Sequence, residues 1–412
     1  MRRARLVKTC AALAGFLTAS LPPASGAPED FALEPYQMVR SLQLIQDRIA
    51  NGDSAAMPMQ RKLLEMIDAR LQKTDIDAFT KERNFRALLM YAMSGGNPTT
   101  VTELLAKAKV GPADRILAKG VMAYINGHPA DAIAALRNVN PLAEEPELGA
   151  FMALVKGSVL AVENPASALS LLDQARLLAP GTLIEEAALR RSMALTAQLG
   201  DKARFLRVSD EYIRRFLHSP YAGQFADSFV AGVMKLHPGL DINAIAAVVS
   251  DMDAQHQRFM YLRLARAGTL AGRIELAAFA SKHAEPPATG SEVPSDPRAG
   301  LYASIASIPS GNIAEIVSKL QAINPDRLSE SDRQLRDAAL HIAREVSARP
   351  PMPEGVRPRA SKTPADKNAT PPPTANAAPK PDLASVKATE TMVSQAHQQL
   401  QSIDKLLQET PE

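Results

Sequence analysis

The chain repeats itself between residues 116 and 180, where ILAKGVMAYINGHPADAIAALRNVNP (116–141) is followed by FMALVKGSVLAVENPASALSLLDQARLLAP (151–180). Both stretches carry apolar residues at helical spacing, a polar turn, a second apolar run and a closing proline. A third copy runs from Ile184 to Phe216. Paired helices that recur about every 34 to 40 residues are typical of a tetratricopeptide-like (TPR-like) solenoid.

Glycine and proline occupy matching places in the first two copies. Gly120 and Gly157 fall in the middle of the first helix of each copy, where the missing side chain lets the partner helix approach closely. Pro129 and Pro165 begin the second helix, where the missing N–H of proline costs nothing. We therefore expect each copy to be a tightly packed helical hairpin.

Helical periodicity continues on both sides of these copies, and period-two alternation is almost absent. We predict an all-α protein whose body, residues 28–347, is a right-handed α-solenoid of TPR-like helical hairpins. The further predicted pairs are Tyr36–Ile49 with Leu63–Leu71, Phe225–Met234 with Ile242–Met252, Phe259–Ala267 with Leu270–Phe279 and Leu301–Ile308 with Ile313–Leu320. A last helix through Val346 is predicted to be capped by Ser329 and Asp332.

The first residues have the pattern of a cleavable signal peptide, predicted over residues 1–26. Four basic residues come first, a short apolar run from Thr9 to Leu21 follows, and small residues end the segment. Cleavage is expected after Ala24 or Gly26, because a cut after Ala27 would place the obstructing ring of Pro28 first. We expect an exported, periplasmic protein without a retained membrane anchor, since the apolar run is too short to span a bilayer.

Removal of this segment changes the charge of the chain. Its four basic residues leave and no acidic residue does, so the formal charge of +3 becomes −1. The basic pI therefore does not argue for nucleic acid or an anionic lipid surface as partner. Cys10, the only cysteine, is removed as well, which suits an oxidising compartment and excludes disulfides and zinc-thiolate sites.

The last part of the chain differs in composition from the body. Residues 348–381 are rich in proline and small residues, so we predict a disordered linker. Residues 382–412 are predicted to form an amphipathic C-terminal helix. Its face, a possible partner-helix surface, consists of Val393, Ala396, Leu400, Ile403 and Leu407. That helix either docks on its own solenoid or binds a partner or a second copy.

The sequence carries no pattern that predicts chemistry. Its seven histidines are scattered singly, without the H-E-x-x-H spacing of a zinc site, and nucleotide-binding and nucleophile-elbow motifs are missing. We therefore expect no catalytic, metal-binding or cofactor-binding residue, no small-molecule ligand and no enzymatic activity. Five methionines crowd the N-terminal hairpins, and we interpret them as gap-filling core, with an adaptable interaction surface as the alternative. They are Met57, Met59, Met66, Met90 and Met93.

Two N-terminal stretches, EPYQMVRSLQLIQDRIANGD (34–53) and QRKLLEMIDAR (60–70), resemble the periplasmic motility protein family MotC of rhizobia and related alphaproteobacteria. The resemblance extends over about residues 28–345 and includes the layout of signal peptide, helical body and proline-rich tail. It implies a non-enzymatic protein that is required for flagellar rotation and binds the periplasmic part of the stator subunit MotB. It transfers no individual binding residue.

Two other functions remain open at this stage. A hairpin array also suits a generic periplasmic adaptor in envelope assembly. The second is a helical accessory to a peptidoglycan-cleaving enzyme, although only linker and one predicted helix follow the body.

Overall fold

Helices form all the regular secondary structure in residues 33–285, 296–309 and 311–347, the part of the chain that a computed structural model describes. The prediction of an all-α protein is confirmed, because these residues form α-helices and short 3-10 turns without a β-strand. The α-helices are α1 (Pro35–Ala50), α2 (Ala56–Leu71), α3 (Glu82–Met93), α4 (Pro98–Lys107), α5 (Pro112–Ile125), α6 (Pro129–Leu136), α7 (Pro146–Leu160), α8 (Pro165–Leu178), α9 (Leu183–Leu199), α10 (Lys202–Phe216), α11 (Ala222–Leu236), α12 (Ile242–Ser250), α13 (Ala254–Leu270), α14 (Ile274–Ala284), α15 (Pro297–Ser307), α16 (Ile313–Ala322) and α17 (Glu330–Ser347).

Prolines and polar caps start the repeated helices, and glycine ends one of them. Pro129 and Pro165 lie in the first turns of α6 and α8, as predicted. The side chain of Asn164 accepts a hydrogen bond from the N–H of Ser167 at 3.0 Å, which satisfies a free donor of α8. Helix α9 ends at Gly200, whose φ of +75° is a left-handed conformation that favours glycine.

The two central glycines permit the predicted close approach of paired helices. A Cβ atom on Gly120 of α5 would lie 2.3 Å from Leu136 Cδ2 of α6. A Cβ atom on Gly157 of α7 would lie 3.0 Å from Leu172 Cδ2 of α8. Both distances are shorter than ordinary van der Waals contact, so a side chain at either position would require the facing leucine to move.

Most helices that follow one another in the chain pack together, the exceptions being α2 with α3 and α11 with α12. Each odd-numbered helix from α1 to α15 also contacts the next odd-numbered helix. Ion pairs join neighbouring pairs at the predicted repeat distance: Arg263 pairs with Asp227, 36 residues earlier, and Arg214 with Asp251, 37 residues later. These contacts resemble those of stacked hairpins. The TPR-like solenoid and its right hand stay predictions.

The first hairpin also packs against the middle of the chain. The buried core has one large cluster along α1–α7 and another along α9–α17, and Ala50 of α1 belongs to the second. The Asn51 side chain donates to the carbonyl of Gly181 at 3.4 Å, and Gly52 lies against His218. An array in which each unit touches only its neighbours does not provide such a contact.

The interpretation of the N-terminal methionines as core is wrong for three of them. Met57, Met59 and Met66 are exposed, whereas Met90 is buried and Met93 is half-buried. The reason is that α2 packs chiefly against α1 and buries only Ala56, Ile67 and Leu71, so its other face points to solvent.

Two predicted boundaries near the C-terminal end of the body had different outcomes. Leu270 was predicted to begin the second helix of its pair, but it is the last residue of α13, because Gly272 adopts a left-handed φ of +63° and α14 begins at Ile274. The cap at Ser329 is confirmed: its Oγ accepts a hydrogen bond from the N–H of Asp332 at 3.2 Å.

Candidate partner-binding groove

A groove of about 1120 Å³ crosses α11, α13, α15 and the start of α17, on the side of the odd-numbered helices. Its described lining carries five arginines, three aspartates and several apolar side chains of α11 and α13, and we call it the arginine groove. The charged lining residues are Arg258, Arg263, Arg266, Arg298, Arg327, Asp227, Asp296 and Asp332.

Helix α13 supplies one wall of the arginine groove. Phe259, Arg263, Arg266 and Leu270 lie four, three and four residues apart, which places them along one stripe of the helix. Asp253 starts this helix by accepting hydrogen bonds from two backbone N–H groups of its first turn, at 3.0 and 3.1 Å. Local sequence therefore sets the start of the helix, and the period of the helix aligns the four side chains.

Ion pairs hold the arginines of the groove in place. Arg263 pairs with Asp227 of α11, across the two helices. Arg298 binds Asp296 through Nε and through its second terminal nitrogen at 2.7 Å. A guanidinium group carries five N–H donors. Each of these pairs occupies only part of that capacity.

A buried carboxylate anchors the end of the groove near α17. Asp332 accepts hydrogen bonds from the hydroxyl of Tyr302 at 2.8 Å and from Ser329 Oγ at 2.7 Å. Arg266 Nε lies 3.5 Å from the same carboxylate, and its terminal nitrogen donates to Ser331 at 3.1 Å. Burial, and then the hydrogen bond to Asp332, raise the pKa of Tyr302, so its hydroxyl remains a donor at neutral pH.

The electrostatics of the groove favour the charged forms of both Asp296 and Arg298. Burial alone would raise the pKa of Asp296, but hydrogen bonds from Arg298 and the nearby charge of Arg258 outweigh it and lower that pKa. The hydrogen bond to Asp296 in turn raises the pKa of Arg298. This pair is therefore ionised across the neutral range.

Apolar surface lies beside these charges. The side chains of Phe259 and Leu270 are 44% and 57% exposed, although both belong to a helix that buries six other residues. The guanidinium of Arg263 lies over the ring of Phe259 at 4.7 Å, a cation–π contact that keeps charge and apolar surface adjacent. The groove thus offers hydrogen-bond donors and apolar contacts along one line.

Other candidate sites are weaker in the described part of the chain. The rings of His218 and His256, which the sequence places far apart, lie 5.7 Å from each other, and His256 contacts Asp253 at 2.5 Å. No group of three or more metal-ligating side chains is assembled within the described ranges. None of the described helices combines the length and hydropathy needed to cross a membrane.

Comparison with known proteins shows the relationship of the whole chain. The family model described as chemotaxis protein MotC matches residues 1–412. The chain belongs to the MotC family. It is 38% identical over 354 residues to a chemotaxis protein MotC of Rhizobium meliloti (strain 1021), an alignment that covers 86% of this chain and 81% of that protein. No solved structure matches the chain.

The resemblance predicted from residues 34–70 is therefore confirmed, and this MotC-family chain is related to chemotaxis and motility proteins. The remaining predicted sites lie outside the described residues and stay predictions. They are the cleavage positions Ala24 and Gly26 and the helix face of Val393, Ala396, Leu400, Ile403 and Leu407.

The arginine groove of this MotC-family chain was missed at the sequence level. The spacing of Phe259, Arg263, Arg266 and Leu270 was available as a signal, since basic side chains seldom share a helical stripe with residues that face a core. The periodicity predicted only that these residues begin two paired helices, Phe259–Ala267 and Leu270–Phe279.

Proposed function

We propose that this chain is a non-enzymatic periplasmic protein that is required for flagellar rotation and binds the periplasmic part of the stator subunit MotB. Membership in the MotC family over the whole chain is the observation that carries the proposal. The signal-peptide pattern of residues 1–26 supports a periplasmic location. The arginine groove supports a binding role, because it offers charged and apolar contacts to another molecule.

Motility measurements test this proposal. Deletion of the gene in its own host should leave flagellar filaments present in electron micrographs but abolish swimming in tracking experiments. The full-length gene should restore swimming. Normal swimming of the deletion strain would refute the motor function and favour an adaptor in envelope assembly.

Export is tested by comparing the full-length gene with a shortened gene. A gene that lacks codons 2–26 should produce a folded protein that stays in the cytoplasm and fails to restore swimming. Mass spectrometry of the protein from the periplasmic fraction should find a new N-terminus after residue 24 or 26. An uncleaved protein, or full rescue without the segment, would contradict the proposed location.

Binding to MotB is tested with purified proteins. The mature chain should bind the isolated periplasmic part of MotB in a fluorescence anisotropy titration, and cross-linking in swimming cells should recover the same pair. Absence of the complex in both measurements would refute the proposed partner while leaving the motility result to stand by itself.

A further inference from the structure

We propose that the arginine groove binds an extended acidic segment of a protein partner, with Arg263 and Arg266 contacting its carboxylates and Phe259 contacting its apolar side chains. The inference rests on the proposed function in taking a motor protein as the partner. It adds the surface and the chemistry by which that partner is held.

The stripe on α13 is the first argument. Phe259 and Leu270 are large apolar side chains left open to solvent at the two ends of two arginines on the same helical face. Single exposed apolar residues are ordinary, but aromatic and arginine side chains that share a groove are the residues that contribute most to binding at protein interfaces. The stripe therefore has the composition of a recognition surface.

Available charge is the second argument. Arg263 and Arg266 are each held by one aspartate, and both remain partly open to solvent. Their positions are therefore set before a partner arrives, and further guanidinium donors remain on each side chain. A carboxylate of the partner can bind such an arginine without the entropy cost of ordering it.

The dimensions favour a chain segment over a small molecule. Small-molecule sites have volumes of about 300 to 1,000 Å³ and enclose their ligand. The groove is open to solvent and crosses parts of four helices, so it does not enclose a small ligand. An extended peptide fits a surface of this kind.

The aspartates argue against nucleic acid or anionic lipid as the occupant. Asp227, Asp296 and Asp332 also line the groove, and each lies against one of its arginines. A polyphosphate backbone requires continuous positive charge, and these carboxylates would repel it. A protein segment can place its acidic side chains opposite the arginines and uncharged residues opposite these aspartates.

Two variants and one matched control test the proposal in the full mature chain. Arg263→Glu reverses a groove charge, and Phe259→Ala removes the exposed ring. Arg214→Glu is the control, because Arg214 lies on α10, outside the groove, and also pairs with aspartates, Asp210 and Asp251. Helical circular dichroism and urea unfolding must first show that all three variants remain folded.

Anisotropy titrations then use two probes, the periplasmic part of MotB and a fluorescein-labelled peptide of alternating Glu and Leu. We expect each groove variant to weaken binding at least about tenfold, and the control to stay within about twofold. Raising the salt concentration from about 0.05 to about 0.5 M should weaken binding to the wild-type chain.

The outcomes separate this inference from the proposed function. If MotB binds the wild type and all variants equally, the groove proposal is wrong and the MotB partner stands. If MotB does not bind but the peptide binds in a groove-dependent way, the partner is wrong and the groove stands. If neither probe binds, or if DNA or phosphatidylglycerol vesicles bind through Arg263 instead, the proposal of an acidic protein segment is overturned.

Discussion

Two clusters in the molecule each combine a tyrosine hydroxyl, a carboxylate and an arginine, but the two arginines differ in exposure. On α9 and α10, Tyr212 donates to Glu186 at 2.8 Å, and Arg190 binds that carboxylate. At the arginine groove, Tyr302 donates to Asp332 at 2.8 Å, and Arg266 lies beside it. The side chain of Arg190 is 20% exposed and that of Arg266 is 42% exposed.

The two arginines also differ in how many of their nitrogens make hydrogen bonds within the protein. All three nitrogens of Arg190 are engaged, two by Glu186 at 3.1 and 3.2 Å and the third by Gln224 at 2.7 Å. The guanidinium also lies 5.3 Å from the ring of Tyr221. Among the described residues, Arg266 makes a 3.5 Å contact to its carboxylate and one hydrogen bond to Ser331. In the closed cluster the arginine is fully engaged within the protein, whereas in the open cluster guanidinium donors remain accessible to solvent.

The largest effect that tests this comparison is the loss of Glu186. We expect Glu186→Ala to lower the free energy of unfolding by about 3 to 5 kcal/mol, because it leaves the buried Tyr212 hydroxyl and Arg190 without their common partner. Urea unfolding followed by circular dichroism measures this change. Glu65→Ala, at an exposed pair with Lys62, is the control and should cost less than about 0.5 kcal/mol.

Loss of the carboxylate in the open cluster should lower the free energy of unfolding by less. We expect Asp332→Ala to lower the free energy of unfolding by about 1 to 3 kcal/mol, since the buried hydroxyl of Tyr302 loses its acceptor while Arg266 can still be solvated. The same urea titration applies. A loss equal to that of Glu186→Ala would remove the distinction between the closed and open clusters.

The smallest expected effect is the change of stability with pH, which should have opposite signs at the closed cluster and at the arginine groove. Burial raises the pKa of Glu185, the neighbour of Glu186, despite its bond from the N–H of Gly181 and the charge of Arg215. A raised pKa means that the folded state keeps the proton longer than the unfolded chain. The contribution of Glu185 to stability is therefore greatest below its ordinary pKa of 4.5 and declines as the pH rises above it.

Asp296 in the groove should behave in the opposite way. Its pKa is lowered, so its contribution is present above its ordinary value of 3.8 and is lost as the pH falls below it. Compared with wild type, Glu185→Gln should become relatively more stable as the pH rises. Asp296→Asn should become relatively more stable as the pH falls. Urea titrations at several pH values measure both, and trends of the same sign would contradict the assignment.

Much of the helical framework could be predicted from particular residues. Gly120 and Gly157 predicted a close approach of paired helices, and their contacts with Leu136 and Leu172 confirm it. Helical spacing predicted the first hairpin, but the interpretation of Met66 as gap-filling core was wrong, because the sequence does not show which neighbour covers a helix face. The same limitation concealed the exposure of Phe259.

The candidate site depended on contacts that the sequence does not encode locally. Tyr302 and Asp332 are 30 residues apart, and Asp227 and Arg263 are 36 apart, so each pairing exists only once the helices have stacked. The burial of Glu185 and Glu186 likewise contradicts the ordinary preference of glutamate for solvent.

The sequence by itself determined that the chain is helical, where most helices begin and end, and to which family it belongs, because spacing, caps and prolines act within a few residues of each other. Only the tertiary structure decided which arginines are fully engaged and which remain open. The burial and charge environment of a side chain depends on neighbours that packing brings from distant parts of the chain. That difference separates the closed cluster around Glu186 from the arginine groove.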